Sequence, residues 1–157
     1  MHIDYEKAYG ILTLRLFDEN GNLKQEVEAK NKIVDAGLAF IASRMKDATA
    51  TAMTHMGVGT TNTAAAAGQT DLVAIAGSRV LLDSTTLVTT TGTNDSIQYV
   101  CTFGAGISTG SLVEAGIFNN GTNGAGTMLC RTVFGVITKA AGDSLVVTWK
   151  IVMTSAT

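Results

Sequence analysis

Proline is absent from all 157 residues, where average usage near 5% would place about eight. No strand edge is therefore guarded by the residue that cannot donate a backbone hydrogen bond. Charge is scarce as well: charged side chains make up 15% of the chain and the formal net charge is −2, against roughly 25% charged in an ordinary domain. That balance excludes a nucleic-acid or anionic-membrane binder working through a basic footprint. No apolar run approaches the roughly 18 residues of a spanning helix. The start, Met1-His2-Ile3-Asp4-Tyr5-Glu6, has neither a basic n-region nor an apolar h-region, so no signal peptide is expected. The two cysteines, Cys101 and Cys130, and the two histidines, His2 and His55, match no zinc spacing. No metal, no cofactor and no catalytic residue is expected.

What remains is a single domain over residues 1–157 by length, rich in small residues. Thr, Ala and Gly together supply 60 residues. Charge is also uneven: residues 1–47 hold 15 of the 24 charged side chains and the other 110 residues hold nine. The reading is a charged hairpin-plus-helix layer over 1–47 and a charge-poor β body over 48–157. A surface of Thr, Ala, Gly and Asn costs little to desolvate, which suits contact with other chains.

Along the chain, Leu12, Leu14 and Leu16 alternate with Thr13, Arg15 and Phe17, the period of two of a half-buried strand. The turn cluster Asp18–Asn22 follows, then Leu23, Gln25, Val27 and Ala29 alternate with Lys24, Glu26, Glu28 and Lys30. This predicts a hairpin with one charged, solvated face. Val34, Leu38, Ile41 and Met45 fall on one helical stripe, predicting one helix near residues 33–46, with Asn31 or Asp35 as cap and Gly37 packed closely on a sheet. Beyond it the pattern is β. Strands are expected at Met56–Val58, Arg79–Asp83, Thr86–Thr91, Ile97–Phe103, Leu112–Phe118, Thr127–Phe134 and Leu145–Met153, with Gly135 as a bulge or bend and a short helical turn at Thr70–Leu72. About nine short strands with Gly, Asn and Thr turns predict a mainly β, antiparallel sandwich or barrel.

The stretch Thr60-Thr61-Asn62-Thr63-Ala64-Ala65-Ala66-Ala67-Gly68-Gln69 carries no charge. It reads as a long arm, expected to be ordered by assembly against a neighbouring subunit. Gly106-Ile107-Ser108-Thr109-Gly110 matches the G-x-S-x-G nucleophile elbow. That motif needs a following helix and a later histidine, and both histidines precede Ser108. A serine hydrolase is thus the remote alternative, and a glycine-rich turn the plainer one. Gly104, Gly106 and Gly110 imitate a dinucleotide loop, but no helix pattern follows. Cys101 and Cys130 sit on apolar rows as small buried hydrophobes. Glu114 and Arg131 are isolated charges in apolar strands. Folding those strands about residues 122–123 brings 114 opposite 131, as a structural cross-strand ion pair.

The order of several segments carries a resemblance. Lys30–Leu38 is followed by Gly57-Val58-Gly59-Thr60, Gln69-Thr70-Asp71-Leu72 and Gly77-Ser78-Arg79-Val80. Then come Glu114-Ala115-Gly116-Ile117-Phe118-Asn119, Gly126–Arg131, Lys139 and Asp143–Trp149. Over residues 30–152 this order resembles small virion structural proteins of tailed bacteriophages, with blocks similar to those of tail-fibre and collar proteins. With the sequence ending at residue 157, no shaft or receptor-binding segment of the fibre type is expected. The resemblance implies a non-enzymatic virion component made in the bacterial cytoplasm. The expected role is a homo-oligomeric head decoration (cement) protein, with a tail, collar, tail-fibre or baseplate adaptor as the alternative. Its expected partners are itself, in a ring for which three is favoured, and the phage major capsid protein or tail and collar proteins. Nucleic acid and membrane are not expected partners.

Overall fold

The structure is a computed structural model and describes residues 8–47 and 49–153; His2 and Tyr5 lie outside that range. Among these residues nine strands and one helix follow in the order β1 (Ala8–Phe17), β2 (Leu23–Ile33), α1 (Asp35–Lys46), β3 (His55–Gly59), β4 (Val80–Leu81), β5 (Ser84–Val88), β6 (Ser96–Phe103), β7 (Gly110–Phe118), β8 (Met128–Lys139) and β9 (Ser144–Met153). All pairings are antiparallel, in one sheet of order β4-β3-β7-β8-β2-β1-β9-β6-β5 that curls into a half-barrel. The mainly β class, the nine strands and the single helix are as the periodicities predicted.

The curl has a local cause at β2. This strand pairs with β1 along its length, from Gly10↔Asn31 to Phe17↔Leu23. It pairs with β8 only at Lys32↔Arg131 and Ile33↔Cys130. The two halves of the sheet therefore splay from one short hinge of hydrogen bonds and fold onto each other. Side chains stitch the gap: the Thr132 hydroxyl donates to the Lys30 carbonyl at 2.6 Å and Gln25 donates to the Val136 carbonyl at 2.9 Å.

Period-two alternation builds the core as cross-strand rows. Leu12, Trp149 and Tyr99 form one row, Leu14, Val147 and Cys101 the next, and Leu16, Leu145 and Phe103 the third. These rows face Met56, Val58, Ala115, Ile117, Cys130 and Ile137 from the other half, all in one apolar cluster.

Several expectations need correction. Only half of the stripe Val34, Leu38, Ile41 and Met45 packs: Val34 is buried and Ile41 lies against the core, but Leu38 is 49% and Met45 83% exposed. Gly37 decides the rotation: a Cβ there would run into the Leu129 carbonyl, so residues 37, 40 and 41 turn toward the sheet. Neither Asn31 nor Asp35 caps the helix. Val34 is the N-cap, Asn31 lies in β2 opposite Gly10, and the Asp35 N–H is satisfied by the Ala67 carbonyl at 2.9 Å. Residues 70–72 hold a single bend at Asp71 rather than a helical turn. The strand expected at Arg79–Asp83 pairs only over Val80–Leu81. The next strand ends at Val88, because the Asp95 carboxylate gathers the N–H groups of Thr90, Thr91 and Gly92 into a turn.

The last strand, β9, lies between β1 and β6, and the edges of the sheet are β4 and β5. The charged hairpin β1–β2 is no separate layer, since it occupies the middle of the sheet. Its charged residues Lys24, Glu26, Glu28 and Lys30 are exposed along β2. Gly135 falls in the register shift where Leu112 pairs with Ile137 and Glu114 with Val133, the bulge expected of it.

Candidate functional site

The outer face of β3, β7 and β8 carries an unusual set of residues. β3 presents Gly57 and Gly59, β7 presents Glu114, Gly116 and Phe118, and β8 presents Arg131. The glycines leave a shallow channel, and residues 69–79 run across it as a strap. Ile75 bridges Gly59, the Thr60 N–H donates to the Ala74 carbonyl and the Ala76 N–H to the Val58 carbonyl, both at 2.9 Å. A Cβ on Gly57 or Gly116 would lie 3.1 Å from the Leu72 methyls, and one on Gly59 would collide with the Glu114 carboxylate and the Ala74 carbonyl. At Gly59 the strap backbone lies where a side chain would stand, and at Gly57 and Gly116 neighbouring side chains, Leu72 among them, fill that space.

Glu114 is the centre of this contact. Its Oε1 accepts the Ala74 N–H at 2.8 Å and its Oε2 the Val73 N–H at 3.2 Å. The Arg131 Nε donates to Oε2 at 2.9 Å, and Nη2 lies 2.7 Å from the same oxygen as an ion-pair contact outside hydrogen-bond geometry. Both side chains are 0% exposed. Arg131 Nη1 donates to the Gln69 side-chain oxygen at 3.1 Å, and that oxygen also takes the Ala66 N–H at 2.9 Å. Glu114 and Arg131 are not directly opposite, however: Glu114 pairs with Val133 and Arg131 with Gly116. The turn closes with Phe118 opposite Met128, and an extra residue, Leu129, is bulged out. The register moves by two in all. A shift of two keeps the face, so the charges still meet, on the diagonal.

A second buried arginine closes the strap's far end. Arg79 stacks over the Phe118 ring with its guanidinium carbon 3.6 Å from the centroid, a close cation–π contact. Its Nη1 donates to the carbonyls of Asn120 at 2.8 Å and Ala125 at 2.7 Å. Its Nη2 meets the Asp71 carboxylate at 3.0 Å, which also accepts the Gly124 N–H at 2.9 Å. Asp71 and Arg79 stood out in the sequence only as members of the resemblance segments, with no pairing expected of them. The available signal was that they are the only charged residues between 48 and 82.

Ser108 belongs to the same neighbourhood. It sits at φ 50° between Gly106 and Gly110, which also have positive φ. Its hydroxyl donates to the strap carbonyl of Ala76 at 2.7 Å. The G-x-S-x-G match is thus a turn that holds the strap, followed by strand β7. His55 Nδ1 is hydrogen-bonded to the Thr54 hydroxyl at 2.8 Å. Among the described residues no three His, Cys, Asp or Glu side chains are grouped to hold a metal ion. Cys101 and Cys130 are free and buried on different strands. Burial pushes the Cys101 thiol up to about 12 and the Cys130 thiol well above its ordinary value.

The arm Thr60–Gln69 has no regular structure and leaves from β3 and returns to the strap. Its return end is tied by the Ala66–Gln69 and Ala67–Asp35 hydrogen bonds. Its outer part, with Asn62, Thr63 and Ala64 exposed, extends into solvent. An apolar cavity of about 180 Å³ lies between α1 and the sheet, lined by Phe40, Ile41, Arg44, Ile97, Tyr99 and Ile151 among others. No helix among the described residues is long and apolar enough to cross a membrane.

Gly57 and Gly59, Gln69 and Asp71, Arg79, Glu114 and Phe118, and Arg131 come from five separated segments. They belong to five of the eight segments named for the resemblance, and they converge in one packed lock. Its chemistry is that of a structural fastening: both charged pairs are compensated and the carboxylates accept backbone N–H groups. No protein-family model matches the chain, and comparison with curated proteins and solved structures gives no significant match.

Proposed function

We propose that this chain is a non-enzymatic structural component of a tailed-phage particle, a head decoration protein that associates with itself and with the major capsid protein. The observation that carries the reading is the convergence of the resemblance segments in the strap lock. A lock that fastens five segments of the sheet stabilises the fold, which suits a protein that reinforces a shell. The charge-poor surface beyond residue 47 and the projecting arm supply area that costs little to desolvate. Many modest contacts repeated across a lattice then add up to strong attachment.

The test is the copy number of this protein in purified particles, read from gel band intensity and cryo-electron microscopy. Hundreds of copies on the head support the reading. Roughly six to eighteen copies at the tail would assign it to a collar or baseplate instead, because closed rings limit the number. Absence from the particle overturns it.

A further inference from the structure

The open edge of the sheet is β5. The opposite edge, β4, is two residues long, and its Val80 and Leu81 carbonyls already face the Cys101 thiol at 3.8 and 3.7 Å. By contrast β5 runs five residues as Ser84-Thr85-Thr86-Leu87-Val88, the first four exposed. It is paired only with β6 among the described residues. Natural sheets guard such an edge with lysine, proline, a bulge or an inward charge. Here residues 84–92 contain no charged residue and no proline, and β5 meets β6 without a register shift. Thr, Leu and Val favour the extended chain.

We propose that β5 is the self-association edge, pairing antiparallel with β5 of a second copy about a two-fold axis at Thr86. This rests on the reading that the protein associates with itself, and names the surface. The geometry favours that register. Centred on Thr86, all five strand residues find partners: Ser84 meets Val88 of the second copy, Thr85 meets Leu87, and Thr86 meets itself. Leu87, 61% exposed in the single chain, then lies on the same face as its symmetry mate, at the diagonal spacing where long side chains touch. The neutral edge brings no like charges together. Five residues a side fall well short of the roughly 20–30 of a standard interface, so the expected pair is reversible and concentration-dependent. A two-fold pair also departs from the three-fold ring that the resemblance implies.

Sedimentation velocity across a hundredfold range of concentration tests this, together with mild oxidation of Thr86→Cys. The native cysteines are buried and do not compete. The proposal expects a monomer–dimer equilibrium and a covalent dimer from Thr86→Cys. It expects Leu87→Lys to weaken the dimer about tenfold or more, from two lost cross-strand contacts and two facing like charges. The double variant Thr85→Glu, Leu87→Lys sets opposite charges across the two-fold and should restore association. Self-association that persists in Leu87→Lys, with no cross-link from Thr86→Cys, overturns the edge but leaves self-association standing. A trimer also overturns it. A monomer at every concentration overturns both.

Discussion

Removing the Glu114 carboxylate should release the strap. In Glu114→Ala the Arg131 guanidinium stays charged at 0% exposure, and the Val73 and Ala74 N–H groups lose their acceptors. Breaking one side of a buried pair costs about 3–5 kcal/mol, and each orphaned amide adds about 1–3 kcal/mol if water cannot reach it. Arg131→Met should cost less than Glu114→Ala, because Glu114 keeps both backbone donors. The double variant Glu114→Gln, Arg131→Met removes both charges and retains an acceptor for the strap. Measured against the single variants Glu114→Gln and Arg131→Met, it should be more stable than the sum of their costs by about 2 kcal/mol or more. Urea unfolding followed by the fluorescence of Trp149, the only tryptophan and fully buried, reads these differences. A loss of 3–5 kcal/mol corresponds to roughly 6–20 °C in Tm for a domain this size. Hydrogen exchange at Val73 and Ala74 should rise in Glu114→Ala before the rest of the sheet opens. A cost under about 1 kcal/mol for Glu114→Ala, or a coupling within about 0.5 kcal/mol of zero, would refute the lock.

Gly59→Ala should destabilise by about 1–3 kcal/mol, since its Cβ meets a carbonyl and a fixed carboxylate, while Gly57→Ala meets flexible Leu72 and Ile75 tips and should cost less; thermal melts give the order. Asn62→Glu with Ala64→Glu should leave Tm unchanged, because both residues are exposed, and weaken particle binding in a co-sedimentation assay. Cys101 and Cys130 should be silent to a thiol reagent at pH 8 in the native protein and react fully in denaturant, as their raised pKa values and burial require. Asp95 is held below its ordinary value, first by the Thr91 hydroxyl and then by the Gly92 N–H. Its folded value is depressed, so its contribution is complete above about pH 4 and declines as pH falls through the folded value. Asp95→Asn should flatten the acid limb of a urea-midpoint profile, and an unchanged acid limb would contradict this.

The strands were legible in the sequence because alternation is a local property. Leu12, Leu14 and Leu16, or Leu145, Val147 and Trp149, can bury one face only if the chain is extended, whatever lies beside it. The charged face of Lys24, Glu26, Glu28 and Lys30 followed from the same parity. That Glu114 and Arg131 share a face was also readable, since their strands alternate around one turn. Their diagonal register was not: it depends on a bulge at Leu129 that leaves no periodic mark. The helix was visible, but its rotation depended on Gly37 meeting the Leu129 carbonyl, a contact with a strand more than 90 residues away. A glycine at close approach outweighs a row of leucines, because backbone atoms cannot interpenetrate while an exposed Leu38 costs little. The position of β9 inside the sheet, the open edge at β5, and the strap locked by Arg79 and Glu114 were decided by tertiary structure alone. Each depends on which strands become neighbours, and pairing between distant segments is set by the closure of the whole sheet rather than by any stretch of chain.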